Sequence, residues 1–201
     1  MKVIGLTGGI GAGKSVVSRI LRCKGYSVYD CDLEAKRLMD RSGELKRDIV
    51  LRFGEECVDG GGCLVRSAIA RHVFSDPAKR HWLNSVVHEM VRQDICRKLD
   101  RQVAPGDADI RKRSFFIESA ILNTGGITPM CDEVWLVEAS EETRIKRVCS
   151  RDAATPEQVR ARIEVQKSEV GIFGDLPCRV ICNDDESPIL EEVERMLSAL
   201  K

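Results

Sequence analysis

The sequence of 201 residues has no apolar run near the roughly 20 residues that a membrane-spanning helix needs. Its start, MKVIGLTGG, reaches glycine too early for the apolar segment of a signal peptide. Lysine plus arginine number 32, as do aspartate plus glutamate, so bulk charge favours neither nucleic acid nor an anionic membrane as a partner. We therefore expect a cytoplasmic protein without nucleic-acid or membrane partners, present as a monomer or weak homo-oligomer.

The cysteines form no recognisable framework, although there are nine of them. Their number is odd, and none is arranged as C-x-x-C. Without a secretory signal a disulfide scaffold is not expected. The closest pair, Cys178 and Cys182, has no histidine nearby, which argues against a zinc site. Small free thiols in the core or on the surface are the simplest interpretation.

Short apolar segments alternate with charged, helix-patterned ones, and no repeat or low-complexity stretch interrupts them. This alternation indicates an α/β fold whose opening strand, glycine turn, helix and strand make a βαβ unit of a parallel sheet. Five strands are predicted, at residues 2–7, 26–30, from 114, from 132, and 178–184.

The glycine turn GLTGGIGAGKS matches G-x-x-x-x-G-K-[ST], the phosphate-binding loop, and it lies between a predicted strand and a predicted helix. Glycines allow positive φ and bring backbone N–H groups close to an anion at the helix N-terminus. Lys14 is expected to reach the β- and γ-phosphates of ATP, and the Ser15 hydroxyl to bind Mg²⁺. The expected nucleotide-binding residues of the loop are Gly8, Gly11, Ala12, Gly13, Lys14, Ser15 and Val16.

Other nucleotide-binding classes fit the sequence less well. The dinucleotide-binding pattern G-x-G-x-x-G does not match when it is started at Gly8, Gly9 or Gly11, because another residue then occupies one of its glycine positions. The guanine-reading N-K-x-D is missing, and motor or transport ATPases are usually larger. A small chain with a long helical excursion after its second strand suits a kinase for a small molecule.

Two aspartates follow the second strand, in YDCDLEAKRL. The carboxyl end of a strand is where open α/β sheets bind ligands, and a carboxylate there can accept the proton of an attacking hydroxyl. Asp32 is the stronger candidate and Asp30 the weaker. An alternative is that Asp32 caps the helix that follows it; both roles are compatible.

Three arginines, Arg144, Arg147 and Arg151, recur at helical spacing and share one face. Such a cluster can clamp phosphate as part of a closing lid. The alternative is a solvated face whose arginines pair with acidic neighbours such as Glu141 and Asp152.

The motifs together resemble the dephospho-CoA kinase family over nearly the whole chain. IGLTGGIGAGKS resembles its phosphate loop, YDCDLEAKRL its D-x-D segment, and VICND its last strand. The stretch from DEVWLVEAS to RIEVQ is similar to its fourth strand and lid. The resemblance implies that Asp32 is the catalytic base, that Arg147 and Arg151 act from the lid with Gln166 at a shared position, and that Asn183 begins the loop beside the adenine.

The resemblance further implies a three-layer P-loop NTPase fold with a helical acceptor-binding excursion and a helical lid. The core would comprise about 1–32, 102–140 and 172–201, the excursion about 33–101, and the lid about 141–171. The implied reaction is ATP-dependent phosphorylation of the ribose 3′-hydroxyl of dephospho-coenzyme A, with Asp32, Lys14 and Arg147 as catalytic residues. Another metabolite or nucleoside monophosphate kinase, or a nucleotide-dependent switch protein, remains an alternative.

Overall fold

The computed structural model describes residues 1–102, 109–167 and 173–200. Parts of the predicted core segments 102–140 and 172–201 and of the predicted lid 141–171 therefore lie outside the described residues. The chain divides into two compact units, one of Met1–Asp30 with Leu99–Lys201 and one of Cys31–Lys98. The predicted division into core, excursion and lid stays a prediction.

The first unit is built on a five-stranded, fully parallel sheet, which confirms the predicted α/β class. Neighbouring strands follow the order β2-β3-β1-β4-β5. β1 is central, and five of its six residues are buried, as expected for a parallel strand covered on both faces. The strands are β1 (Lys2–Thr7), β2 (Ser27–Asp30), β3 (Ser114–Glu118), β4 (Glu133–Glu138) and β5 (Cys178–Cys182).

Eight α-helices occur in the described residues, and none of them combines the length and apolarity that a membrane span would need. They are α1 (Lys14–Cys23), α2 (Cys31–Arg41), α3 (Gly43–Phe53), α4 (Arg66–Ser75), α5 (Pro77–Gln102), α6 (Glu141–Asp152), α7 (Pro156–Gln166) and α8 (Ile189–Ser198).

Helices α1 and α8 contribute to the main core of the first unit, which packs against the sheet around Trp135 and Phe116. On α1 the inward residues are Val17 and Leu21, both fully buried. Helical spacing in the sequence predicts that Val16, Val17, Ile20 and Leu21 share one face, but Val16 is 45% exposed. The helical period turns Val16 outward once Val17 and Leu21 face the sheet, and the expectation for it was wrong.

Helix α8 begins one residue later than its sequence suggests. The sequence SPILEEV predicts Ser187 as the N-cap of this helix, with Pro188 at the first helical position. Instead Pro188 is the N-cap residue, and the Ser187 hydroxyl accepts from the backbone N–H of Asp184 at 3.2 Å. The serine thus closes the turn after β5 rather than the helix.

The second unit has its own apolar core, formed by α3, α4, α5 and the 3₁₀ turn Glu55–Cys57. Side chains at helical spacing on α3 provide much of it, namely Leu45, Ile49 and Phe53. Ser42 caps α3 by accepting from the N–H of Leu45 at 3.1 Å.

Candidate active site

The glycine loop, residues 8–13, joins β1 to α1 with a backbone that only glycine adopts readily. Gly8, Gly11 and Gly13 have φ of 153°, 79° and 98°. A Cβ on Gly8 would lie 2.3 Å from the carbonyl oxygen of Val137, and one on Gly13 would lie 2.0 Å from Nδ2 of Asn183. Both glycines of the sequence motif are therefore required by the conformation of the loop.

Hydrogen bonds within the loop set its turn. The N–H groups of Ala12 and Val16 each donate to the carbonyl three residues earlier, at 3.1 and 2.9 Å. The Lys14 ammonium donates to the carbonyl of Gly8 at 2.5 Å, so it lies over the mouth of the loop. Ser15 is exposed in the first turn of α1. Direct contact of Ala12 or Val16 with a nucleotide stays a prediction.

Asn183 supports the loop from the end of β5. Its side-chain amide donates to the carbonyl of Ala12 at 2.8 Å, and its backbone N–H donates to the carbonyl of Glu138 at 2.8 Å. The side chain is buried, and it is the neighbour that excludes a side chain at Gly13. Its predicted place beside an adenine stays a prediction.

The three arginines of α6 have different partners, although they share a helix. Arg144 donates through Nε to a loop carbonyl at 2.9 Å, and burial lowers the pKa of its guanidinium. Arg147 donates to a backbone carbonyl after β5 at 2.8 Å and to Asp185 at 3.1 Å. Arg151 pairs with Asp152 at 2.7 Å, which raises the pKa of Arg151. Only Arg144 reaches the glycine loop through a described hydrogen bond.

Two carboxylates lie side by side at the carboxyl edge of the sheet. The register of β2 on β3 pairs Asp30 with Glu118. The Ser18 hydroxyl donates to Oε2 of Glu118 at 2.6 Å, and Nη2 of Arg22 lies 3.9 Å from the same oxygen. Burial raises the pKa of Glu118; the Ser18 hydrogen bond lowers it and the charge of Asp30 raises it further.

Asp32 belongs to the second unit and is exposed. Helix α2 begins at Cys31, directly after β2, so Asp32 lies in the first turn rather than at the cap. The alternative that Asp32 caps this helix is wrong, because the helix already begins at Cys31. A carboxylate in a first turn is stabilised by the helix dipole. Its catalytic role stays a prediction.

A cavity of about 360 Å³ opens beside the glycine loop, at the carboxyl ends of β4 and β5. Its volume lies within the range of small-molecule sites, and its lining mixes backbone with charged side chains. The lining residues are Gly9, Ala12, Val137, Glu138, Ala139, Ser140, Arg144, Cys182 and Asp184.

Comparison with known proteins assigns the chain to a family. A family model described as dephospho-CoA kinase matches residues 2–172. The chain belongs to the dephospho-CoA kinase family. A dephospho-CoA kinase of Porphyromonas gingivalis is 32% identical over 201 residues, covering all of this chain and 95% of the relative.

Solved structures share the fold of this dephospho-CoA kinase family member. A Thermus thermophilus protein is 36% identical with a TM-score of 0.75, covering 99% of this chain and 95% of its own. A dephospho-CoA kinase from Campylobacter jejuni is 19% identical with a TM-score of 0.71, covering 100% and 98%. The latter similarity supports the fold, which is that of the P-loop kinases, as predicted.

One group of side chains in this dephospho-CoA kinase family member has metal-ligand character, among the residues for which the structure gives positions. Ligand atoms of Glu56, Cys57 and His72 lie within 4.8 Å of one another in the second unit. His72 is hydrogen bonded to Glu56 at 2.8 Å, and its other ring nitrogen lies 3.3 Å from the ammonium of Lys79. Such a nearby cation and the soft thiol make this group a poor match for Mg²⁺, which prefers oxygen ligands.

Ser18, which ties α1 to β3 through Glu118, is a site residue that the sequence pattern did not predict. The only signal was a small polar residue between Val17 and Leu21 on the inward face of α1. A fully buried hydroxyl needs a partner, so this position predicts a polar contact, although not its identity.

Proposed function

We propose that the protein transfers the γ-phosphoryl group of ATP to the ribose 3′-hydroxyl of dephospho-coenzyme A, giving coenzyme A and ADP, the final step of coenzyme A biosynthesis. Family membership and relatives named dephospho-CoA kinase support the reaction. The observation that carries it is the glycine loop, whose positive-φ glycines lead directly into α1 with Lys14 at its first position.

The loop and α1 supply the triphosphate site. The first N–H groups of an α-helix have no intrahelical acceptor, and the helix dipole favours an anion beside them. Lys14 adds a positive charge there, and Arg147 and Arg151 add more from α6. Each of these arginines now pairs with an aspartate, and a polyphosphate of higher charge competes for the same donors.

Oxygen donors at the carboxyl edge of the sheet and at the start of α1 match the ligands that Mg²⁺ prefers. Ser15 presents an exposed hydroxyl, and Glu118 and Asp30 are adjacent carboxylates at the same edge. Oxygen ligands of this kind are those that Mg²⁺ selects. When bound, the ion neutralises charge on the phosphates. We assign Ser15 as its protein ligand.

We assign Asp32 as the residue that orients the 3′-hydroxyl and accepts its proton, the second unit as the acceptor-binding part, and α6 with α7 as the lid. Asp32→Asn keeps the size of the side chain but removes its basicity. We expect ATP binding to persist in calorimetry while turnover falls at least ~100-fold. Asp40→Asn, in the last turns of the same helix, loses only a surface ion pair with Arg66 and should leave turnover nearly unchanged.

An acceptor panel tests the reaction and separates it from the alternatives. ADP release, coupled to a spectroscopic assay, is measured with dephospho-coenzyme A and with nucleoside monophosphates. We expect rapid release only with dephospho-coenzyme A. Release with a monophosphate alone would favour a different small-molecule kinase, and slow release independent of any acceptor would favour a switch protein. A cytoplasmic location and a monomeric or weakly associated assembly stay predictions.

A further inference from the structure

Ile10, at the tip of the glycine loop, is held by hydrogen bonds from both α6 and α7. Its backbone N–H donates to Oε1 of Gln166 at 2.7 Å. Its carbonyl accepts from Nε of Arg144 at 2.9 Å. Two consecutive peptide groups of the loop are therefore fixed by side chains that lie 156 and 134 residues away in the sequence.

The Ile10 side chain adds an apolar contact at the same place. It packs against a small cluster of Val148, Val159 and Ile163, which are 1%, 0% and 5% exposed. These residues come from α6 and α7 and hold that helix pair together. The tip of the loop is thus part of the packing between the two helices.

Two further glycines of the loop fit the same contact. A Cβ on Gly9 would lie 2.3 Å from Nη2 of Arg144. One on Gly11 would lie 2.7 Å from the carbonyl oxygen of Arg144 and 3.0 Å from Cγ2 of Val148. The phosphate-binding motif leaves both positions open to any residue. At Gly11 the backbone of α6 therefore excludes a side chain in addition to the positive φ of 79°, and at Gly9 a side chain would displace the Arg144 guanidinium.

We propose that the loop–helix contact, made by Ile10, Arg144 and Gln166, holds the phosphate loop in its binding conformation, with Gln166 as a positioning residue that acts through Ile10. The inference deepens the proposed function, since it concerns the same nucleotide site. A loop without this contact samples more conformations, and the apparent Kd for ATP rises to the intrinsic Kd divided by the fraction of molecules that remain competent.

Gln166→Met tests the contact, because it keeps the length of the side chain and removes its amide oxygen. Without acceptor substrate, we expect the Kd for ATP in calorimetry to rise about tenfold, the size expected for a lost partner of a partly buried N–H. In steady state the KM for ATP should rise while the KM for dephospho-coenzyme A does not change. Val165→Ala is the matched control, since Val165 adjoins Gln166 on α7 and is 78% exposed; it should behave as the unmodified protein.

Hydrogen exchange of the Ile10 amide, followed by NMR, reports on the contact itself. We expect protection in the unmodified protein, loss of protection in Gln166→Met, and protection regained in Gln166→Glu, whose carboxylate is again an acceptor. Unchanged exchange, or lost protection with unchanged ATP affinity, would overturn the proposal. Neither calorimetry nor exchange involves the acceptor, so a weakened ATP site in Gln166→Met supports the contact even if dephospho-coenzyme A proves not to be the substrate.

Discussion

Replacement of Gly8 by alanine tests whether the first glycine of the loop is required by the fold itself. Its φ of 153° lies far outside the narrow left-handed region that other residues occupy. The new methyl group would begin 2.3 Å from the carbonyl oxygen of Val137, a backbone atom of β4 that cannot move without disturbing the sheet.

Two costs add in this variant. A residue forced into a sparsely populated backbone region costs about 1–3 kcal/mol. Overpacking against a fixed neighbour costs about 1–3 kcal/mol more. The free energy of unfolding of the first unit should therefore fall by about 2–6 kcal/mol, a large fraction of the 5–15 kcal/mol typical of whole proteins.

Gly174→Ala is the matched control in the same unit. Gly174 also has positive φ, at 62°, but nothing lies within 4 Å of its Cβ position. This variant should therefore lose only the left-handed backbone cost of about 1–2 kcal/mol.

Urea unfolding followed by tryptophan fluorescence measures both losses. Trp135 is fully buried in β4 of the first unit, and a Trp82→Phe background removes the other tryptophan. Equal losses in the Gly8 and Gly174 variants would refute the claim that contact with Val137 requires glycine at this position.

Two further predictions concern buried polar groups of the first unit. Burial raises the pKa of Glu118 above its usual 4.5, and Asp30 raises it while Ser18, Arg22 and Lys14 lower it. The folded state thus binds this proton more tightly than the unfolded state, and the stabilisation from protonation is lost as pH rises through the folded pKa. Glu118→Gln should raise the melting temperature at about pH 7 and not at about pH 4; equal shifts at both would contradict this. The Thr7 hydroxyl is buried without a hydrogen-bond partner among the described residues, so Thr7→Val should raise the free energy of unfolding by about 1 kcal/mol, and a loss in chemical denaturation would show that the hydroxyl is satisfied.

Local patterns were sufficient to predict most of the first unit. Alternating apolar and helical segments predicted all five strands. A glycine after an apolar-periodic segment also predicts where a helix ends, and Gly25, with φ of 86°, follows the end of α1. The order of strands could not be predicted in this way, because neighbours in the sheet are far apart in the sequence. The face of Val16 and the first residues of α2 and α8 also depend on packing that a helical period does not resolve.

The candidate active site likewise contains some residues that local sequence predicts and some that it does not. Gly8, Gly13 and Lys14 follow from a contiguous motif whose chemistry is local. The hydrogen bond of Ser18 to Glu118 joins residues 100 apart, which sequence spacing does not indicate. Arg147 was expected at the phosphates, and here it donates to Asp185, a residue that becomes its neighbour only when β5 packs beside β4.

The most direct test of the proposed function is to identify the product. The protein is incubated with ATP, Mg²⁺ and dephospho-coenzyme A, and the mixture is followed by ³¹P NMR. We expect a new phosphomonoester signal on the ribose 3′-oxygen that grows in step with ADP and is lost in Asp32→Asn. Consumption of ATP that gives only inorganic phosphate, or a monoester at another position, would contradict it.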